Sequence, residues 1–408
     1  MNAFEVLNQR GFLAQMTNEE AIKKILSEKK ISFYVGFDPT ADSLTAGHFL
    51  TVMTMAHMQR AGHRPIVLFG GATAMIGDPS GRTDMRKMLT RDEIKTNIAK
   101  FKEQMSRFID FSDDKAIVVD NADWLSGKNY IDFLRDVGPY FTVNRMLGAE
   151  CYKSRLDIGL TFLEFNYMIM QSYDFLHLFN EENCILQMGG DDQWSNIIGG
   201  VELVRRIKAK EAYGLTFKLL TTKDGKKMGK SQAGAVWLDK DKTSPYDFYQ
   251  YWRNVEDETV PDCLARLTFL EMDEVNALSS LEGNELNRAK EILAFELTKI
   301  VHGEDEAKKA QDSAKALFSG GGNKEGMPSF ELEEKDLGEG VGVIDFLDKI
   351  KIVPSKSEAR RLLKQGGVSL NERKVSDINE KIDKNSFKDG EIIVQKGKKT
   401  YIRVFLKD

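Results

Sequence analysis

The sequence predicts an α/β protein: a parallel-sheet domain in its first half, an α-helical domain after it, and a small α+β module at its end. Three observations predict this. Short apolar runs alternate with helical stripes as far as about residue 230, strand signals then give way to successive helical segments, and the triple-glycine stretch Ser319–Asn323 sets these apart from a compact tail of mixed pattern. At 408 residues the chain is too long for one ordinary core, so two or three domains are expected.

The elements follow in order. Ile31–Phe37, Pro65–Gly70, Ala116–Asp120 and Cys184–Met188 have the continuous apolar character of strands buried on both faces of a sheet. Between the first two, Phe49, Leu50, Val52, Met53 and Ala56 form a stripe on His48–Arg60, closed by Gly62. Strand, helix, strand is the unit of a parallel sheet. Thr161–Phe179 and Gln193–Ile207 read as further helices, and Lys218–Thr222 as one more strand. Beyond residue 244, Pro245–Arg253, Val260–Leu270, Met272–Leu281, Glu285–Val301 and Glu304–Phe318 are helical. The resulting division is 1–231 for the α/β domain, 232–320 for the helical domain, 321–342 for a linker and 343–408 for the tail.

Composition narrows the class. Apolar residues make up 41% and charged residues 30%, as in globular proteins. There is no signal-peptide pattern and no apolar run of bilayer-spanning length, so no membrane partner is expected. Cys151, Cys184 and Cys263 are far apart without a CxxC, and the five histidines form no HExxH. Neither a disulfide framework nor a structural metal is indicated, and a cytoplasmic location is expected. Net charge is −5, yet residues 341–408 carry 16 Lys and Arg against 10 Asp and Glu, a surplus of +6 that leaves −11 for the remainder. A basic module on an acidic body suits a polyanion; charge alone does not separate that from a lysine-rich solvated surface.

Two common nucleotide signatures fail. Gly70–Gly77 (GGATAMIG) lacks GxGxxG spacing, and Gly225-Lys-Lys-Met-Gly-Lys-Ser231 has one residue too few between its glycines for a P-loop. Two segments remain. Tyr34–His48 runs from a strand end through a turn into a helix at Gly47-His48, where free backbone N–H groups and the dipole suit a phosphate. Lys227-Met-Gly-Lys-Ser231 sets two lysines about a flexible glycine, which suits a departing pyrophosphate.

In this order and spacing the two segments resemble the HIGH and KMSKS signatures of class I aminoacyl-tRNA synthetases. The stretches YVGFDPTADSL, GGATAMIGDPSG, FLEFNYMIMQSYDFL, LQMGGDDQWSNI and KTSPYDFYQYWRN narrow the resemblance to the bacterial tyrosyl enzymes, and Pro354–Glu372 is similar to the S4 RNA-binding module. The resemblance covers nearly the whole chain. It implies a Rossmann-like catalytic domain, a dimerisation insertion around 120–180, a helical domain for the tRNA anticodon arm, and an S4-like tail. It also implies ATP as a substrate with accompanying Mg²⁺, L-tyrosine and tRNA(Tyr) as partners, and a homodimer. Phe133, Leu134, Phe141, Met146 and Leu147 are candidates for its apolar face, as they are for a monomer core.

Site residues are implied position by position. Tyr34 and Asp174 would read the tyrosine hydroxyl, and Asp78, Tyr167 and Gln171 its ammonium, with Gln193 beside its carboxylate. Gly36, Asp38, Gly47, His48, Gly190, Asp192 and Lys230 would hold ATP. Thr40, Thr45, His48, Arg82, Arg86, Lys227, Lys230 and Ser231 would serve the transfer itself. Spacing supports part of this independently: Tyr167, Gln171 and Asp174 lie at i, i+4 and i+7. They interrupt a helix carrying Phe162, Leu163, Phe165, Met168 and Ile169, where an ordinary polar face would bury them without partners. Asp78-Pro79 and Gly189–Gln193 taken alone are turns, and Arg82 and Arg86 taken alone are surface charges.

One position departs from the family. Thr45 stands where the family usually has histidine, and it supports an alternative reading: a non-catalytic or weakly catalytic RNA-binding paralogue. In the tail, Ser355 and Glu358 fit a capping box. Lys356, Arg360, Arg361 and Lys364 put a basic face on the helix that follows, suited to an RNA backbone.

Overall fold

A computed structural model describes residues 1–80, 89–223, 225, 227–231, 234–319, 329–338, 340–371, 373–388, 390–397 and 400–407. The chain divides into two compact units, Met1–Thr243 with Tyr251–Val301, and Ser244–Gln250 with His302–Asp408.

The first unit is built on six strands: β1 (Leu13–Met16), β2 (Ser32–Phe37), β3 (Arg64–Phe69), β4 (Ile117–Asp120), β5 (Cys184–Gly190) and β6 (Tyr213–Phe217). Their order is β1-β6-β5-β2-β3-β4; all are parallel except β1, which runs antiparallel to β6. Apolar runs predict β2, β3 and β5 because both faces of those strands are buried; β4, expected to be buried likewise, is an edge strand and only half-buried throughout. The strand expected at Lys218–Thr222 is instead Tyr213–Phe217, just before it. Gly214 hides this strand from a propensity reading, yet packing demands it: a Cβ there would stand 2.3 Å from the Ile197 side chain.

The helix Ala46–Arg60 shows almost no polar face; ten of its residues, Ala46 to Met58, are buried. It lies against β3 and is covered by helices Ala3–Gln9 and Val260–Leu267. The Arg10 guanidinium donates to the carbonyls of Ala265 and Leu270 (both 2.7 Å) and Thr268 (3.2 Å), satisfying acceptors that the end of Val260–Leu267 leaves open. The expected helix over 161–179 is two helices, Phe162–Phe165 and Tyr167–Glu181. They part at Asn166, whose side chain donates to the Phe162 carbonyl at 2.6 Å.

The second unit contains a five-stranded sheet in the order Arg373–Lys374, Val368–Leu370, Glu391–Lys396, Thr400–Lys407, Ser329–Glu333, with only the last pair parallel. Helices Val343–Lys349 and Lys356–Lys364 bury Phe346, Leu347, Ala359 and Leu363 in its core with Val368, Ile392 and Val404. No described helix is long and apolar enough to cross a membrane.

Candidate active site

The main sheet reverses its winding between β2 and β5: β3 and β4 lie on one side, β6 and β1 on the other. In open α/β sheets this point, at the carboxyl ends of the strands, is where ligands bind. Tyr34 and Gln187 are paired in register across β2 and β5, so they face the same side of the sheet. On that side the Tyr34 ring packs 5.4 Å from Phe175, and Gln187 Oε1 stands 3.0 Å from where a Cβ on Gly200 would be. Gly36, two residues beyond Tyr34, is exposed and leaves the strand end open.

Asp174 is buried at the same place. Its carboxylate accepts from Trp124 Nε1 at 2.8 Å and Asn121 Nδ2 at 3.0 Å. The Trp124 ring is itself fixed by stacking on His177 at 4.2 Å. Burial pushes the Asp174 carboxyl up to about 7 against the pull of those two donors, with Asp38 and Asp120 adding to the rise. Burial, reinforced by the charge of Asp174, lifts the Tyr34 hydroxyl well above its ordinary value. Tyr34 Oη, Gln171 Oε1 and Gln187 Oε1 are all buried without a hydrogen-bond partner among the described residues. Buried polar atoms are normally paired, so three unpaired ones beside Asp174 mark a place built for a polar ligand.

Two hydrogen-bond chains border this place. In the first, Asp38 accepts from Tyr167 Oη (3.0 Å) and Thr73 Oγ1 (2.8 Å), while Asn121 Nδ2 bridges Thr73 (3.0 Å) to Asp174. Gly70 makes this closure possible, since a Cβ there would stand 2.1 Å from Asp38 Oδ1 and 2.3 Å from Thr73 Oγ1. In the second, Asp78 accepts from Gln193 Nε2 at 2.7 Å and from the Ser80 N–H at 2.9 Å, and Asn196 donates to both Gln193 and Ser80 at 3.2 Å. Tyr167, Gln171 and Asp174 do share one stretch of helix, Tyr167–Glu181. Sequence reasoning does not single out Asn121, Trp124 or Gln187. The only local signal is Gln187, a lone amide inside an apolar strand.

The nucleotide candidates lie at the neighbouring helix start. Thr45 is the N-cap of Ala46–Arg60, and His48 Nδ1 accepts from the Thr45 N–H at 3.1 Å and lies 3.1 Å from Thr45 Oγ1. The threonine thereby fixes the ring that the helix start presents. Gly47 is exposed, and a Cβ on it would meet only ordinary contacts, so the protein alone does not require glycine there. The Thr40 N–H donates to the Asp38 carbonyl at 2.8 Å, which turns the chain away from β2. Gly190 ends β5, and Asp192 follows in the turn into helix Trp194–Lys208.

Lys227 forms an ion pair with Asp192, Nζ to Oδ2, at 2.7 Å, which ties the lysine loop to the end of β5. Lys230 and Ser231 form a short strand paired with Gly234–Ala235, and their side chains lie outside the described residues. Arg82 and Arg86 lie outside them altogether. Among the described residues no group of three His, Cys, Asp or Glu could hold a metal ion.

In the second unit, Ser355 Oγ accepts from the Glu358 N–H at 3.3 Å and caps Lys356–Lys364. The Glu358 side chain turns to Arg361 instead, in a bidentate pair of 2.9 and 2.6 Å, and Lys356 pairs with Asp345 at 2.8 Å. Arg360 and Lys364 are exposed. Half of the expected basic face is thus already matched by carboxylates.

Comparison with known proteins gives the class. Residues 26–319 match the family model described as tRNA synthetases class I (W and Y), and residues 321–404 match that of the tyrosine–tRNA ligase SYY-like C-terminal domain. The tyrosine–tRNA ligase of Caldanaerobacter subterraneus subsp. tengcongensis is 60% identical over 408 residues, all of both chains. That of Acetivibrio thermocellus is 59% identical over 405 residues, 99% of each. The solved Aspergillus nidulans mitochondrial tyrosyl-tRNA synthetase, C-terminally truncated, superposes with a TM-score of 0.69 at 29% identity, covering 78% of this chain and 94% of that one. The Archaeoglobus fulgidus enzyme in complex with L-tyrosine shares the fold at 20% identity and a TM-score of 0.58, covering 76% of this chain and 100% of that one. The chain belongs to the tyrosyl-tRNA synthetase family of class I.

Proposed function

We propose that the chain is a tyrosine–tRNA ligase: it activates L-tyrosine with ATP to tyrosyl-adenylate, releasing pyrophosphate, and then passes the tyrosine to the 3′-terminal ribose of tRNA(Tyr). The observation that carries this reading is the buried Asp174 carboxylate beside the unpartnered Tyr34 hydroxyl, at the switch point of a chain 60% identical to a curated tyrosine–tRNA ligase. A phenol hydroxyl inserted there donates to Asp174 and accepts from Tyr34, which gives the buried Tyr34 hydroxyl its partner. Asp78, Tyr167, Gln171 and Gln193 are assigned to the ammonium and carboxylate of the amino acid.

In the first step the tyrosine carboxylate attacks the ATP α-phosphate in line, and pyrophosphate leaves. No protein nucleophile is required; orientation and charge placed on the leaving group do the work. Thr40, Lys227, Lys230, Arg82 and Arg86 are assigned to that charge. Gly36, Asp38, Gly47, His48, Gly190 and Asp192 are assigned to the nucleotide, and Ser231 to the loop that closes on it. ATP is proposed to carry Mg²⁺ on its phosphates as part of the substrate, which would supply charge neutralisation there. Thr45 contributes by holding His48 through the 3.1 Å contacts of its N–H and hydroxyl, which gives it a place in a working site and not in a non-catalytic paralogue. Residues 232–320 are assigned to the anticodon arm, and Lys356, Arg360, Arg361 and Lys364 to RNA contact. Exchange of labelled pyrophosphate into ATP tests the activation step. Tyrosine-dependent exchange is expected, and its absence would overturn the catalytic reading.

Proton linkage follows from Asp174. A donating phenol favours the ionised carboxylate, whereas burial pushes this group up to about 7. Tyrosine binding is therefore expected to release up to one proton at about pH 6 to 7 and to tighten as pH rises from about 6 to 8. Calorimetry in two buffers of different ionisation heat reads this directly. A buffer-independent enthalpy with a flat affinity would contradict it.

A homodimer is supported by one segment rich in exposed apolar residues. Among the described residues, nine of the ten exposed large apolar side chains lie between residues 130 and 163, among them Tyr130, Ile131, Val143, Ile158 and Phe162, the last 70% exposed. Such a concentration on a chain surface marks an interaction site. The five candidates divide between the two readings: Met146 is buried in the core with Phe133 and Phe141 packed against it, while Leu134 and Leu147 are exposed. A buried ion pair, Arg155 to Glu164 at 3.0 Å, ties the helices Glu150–Leu156 and Phe162–Phe165 of this segment together. Light scattering is expected to give twice the 46.2 kDa chain mass, and Phe162→Glu to give the single mass. A wild-type monomer would remove the dimer.

A further inference from the structure

The lysine loop and the helix start that bears His48 touch backbone to backbone. A Cβ on Gly229 would lie 2.7 Å from the Gly47 nitrogen and 3.3 Å from its Cα. An unbroken series of hydrogen bonds runs through this contact. The Ala46 N–H, a donor at the first turn of its helix, is taken by the Val236 carbonyl at 2.8 Å, and the Val236 N–H is taken by the Gly229 carbonyl at 2.9 Å. The Gly229 N–H then donates to the Tyr251 hydroxyl oxygen at 2.9 Å. Every link but the last is main chain to main chain. Only the last depends on the identity of a side chain, and that side chain comes from a separate element, the helix Pro245–Arg253.

Tyr251 is braced for such a task. Its ring stands edge-on to the fully buried Trp252, centroids 5.0 Å apart at 81°. Burial raises its hydroxyl above the ordinary tyrosine value, so the oxygen stays a neutral acceptor through the working range. Gly229 sits at φ +106°, a conformation open to glycine, so its peptide has freedom that the Tyr251 bond removes. Lys227 lies two residues before Gly229 and Lys230 one after it. Fixing that peptide therefore fixes the origin from which both lysines reach, including the reach of Lys227 to Asp192 at 2.7 Å.

We propose that Tyr251 is a positioning residue for tyrosine activation: its hydroxyl anchors the lysine loop at Gly229 and holds it in register with the helix start at Gly47. The proposal rests on the synthetase reading above and adds a residue outside both signatures. Because the anchor acts on the loop and not on the phenol pocket, its loss should be felt by ATP and not by tyrosine.

Tyr251→Phe keeps the ring and deletes only the acceptor. One hydrogen bond of about 1 kcal/mol corresponds to about fivefold in rate. In the pyrophosphate-exchange assay the full-length variant is expected to lose about fivefold in kcat/KM for ATP, while KM for tyrosine stays within about twofold and Tm is unchanged. Tryptic cleavage between residues 223 and 231 is expected to accelerate by a similar factor. Tyr213→Phe, which removes a surface hydroxyl bonded to Glu211 at 2.7 Å, serves as the control and should match the wild type. Tyr251→Phe matching the wild type in both ATP kinetics and proteolysis would overturn the proposal. Equal losses for ATP and tyrosine with a lowered Tm would overturn it too, because they would mark a role in folding only. If the wild type showed no tyrosine-dependent exchange, the synthetase reading would fall, whereas the proteolysis comparison would still decide whether Tyr251 anchors the loop.

Discussion

Asp174→Ala is expected to lower tyrosine-dependent pyrophosphate exchange by about 10³-fold. A charge-assisted hydrogen bond to the substrate hydroxyl is lost, and the buried Trp124 Nε1 and Asn121 Nδ2 donors lose their acceptor, terms of about 1 to 3 kcal/mol each. Asp174→Asn should fail as well. Three donors converge on this group when tyrosine is bound, and an amide offers one oxygen while turning an NH₂ toward at least one of them. A stability signature separates this effect from simple unfolding. Burial raises the folded-state carboxyl to about 7, above its unfolded value of about 3.8. Between those values the folded protein holds the proton more tightly, so this group makes stability fall as pH rises from about 4 to 7, with no further change above. Asp174→Asn should lose that part of the slope in Tm while losing activity. A variant that keeps near-normal exchange, or one whose Tm slope equals the wild type's, would refute the assignment.

Gly229→Ala carries the second large effect. The residue sits at φ +106°, where a Cβ is strained by about 1 to 3 kcal/mol, and the new atom would be 2.7 Å from the Gly47 backbone nitrogen. Neither partner is a flexible side-chain end, so the loop must shift as a whole. That shift would break the Gly229 bonds to Val236 and Tyr251 and displace Lys227 and Lys230, the groups proposed to meet the leaving pyrophosphate. A fall of about 10² to 10³ in adenylate formation is expected, the range typical of losing preorganised charge stabilisation. Tyrosine affinity should stay near normal, because the phenol pocket is formed by other residues. Rapid-quench measurement of adenylate, paired with tyrosine binding, checks both halves; undiminished adenylate formation would contradict the role of the loop.

The parts of this molecule visible in the sequence share a physical property: their determinants are local. Continuous apolar runs mark β2, β3 and β5 because both faces of those strands are buried. Helix periodicity puts Tyr167, Gln171 and Asp174 on one helix. Where a local cue contradicts the packing, a sequence reading goes astray. Tyr213–Phe217 is missed by a few residues because Gly214 weakens a strand pattern while serving contact with Ile197. The edge strand Leu13–Met16 has no β-branched or aromatic residue to signal it, unlike the equally short Ile117–Asp120. Long-range partners are invisible for a different reason. Trp124 and Asn121 meet Asp174 across 50 and 53 residues, and Tyr251 meets Gly229 across 22, and no spacing rule links such pairs. The basic tail helix shows the opposite error, since a count of lysines and arginines overlooks Asp345 and Glu358, which already pair with two of them.

Tyr34 and Asp174, at the switch point between β2 and β5, are proposed to read a phenol hydroxyl. Calorimetric titration of the unmodified protein with tyrosine and with phenylalanine tests this central claim most directly. Overall discrimination of about 10⁵ between the two is an established property of tyrosyl-tRNA synthetases as a class. Tyrosine is predicted to bind this protein at least about 10²-fold more tightly than phenylalanine, with most of that margin lost in Asp174→Ala. Equal affinity for the two amino acids would contradict the account.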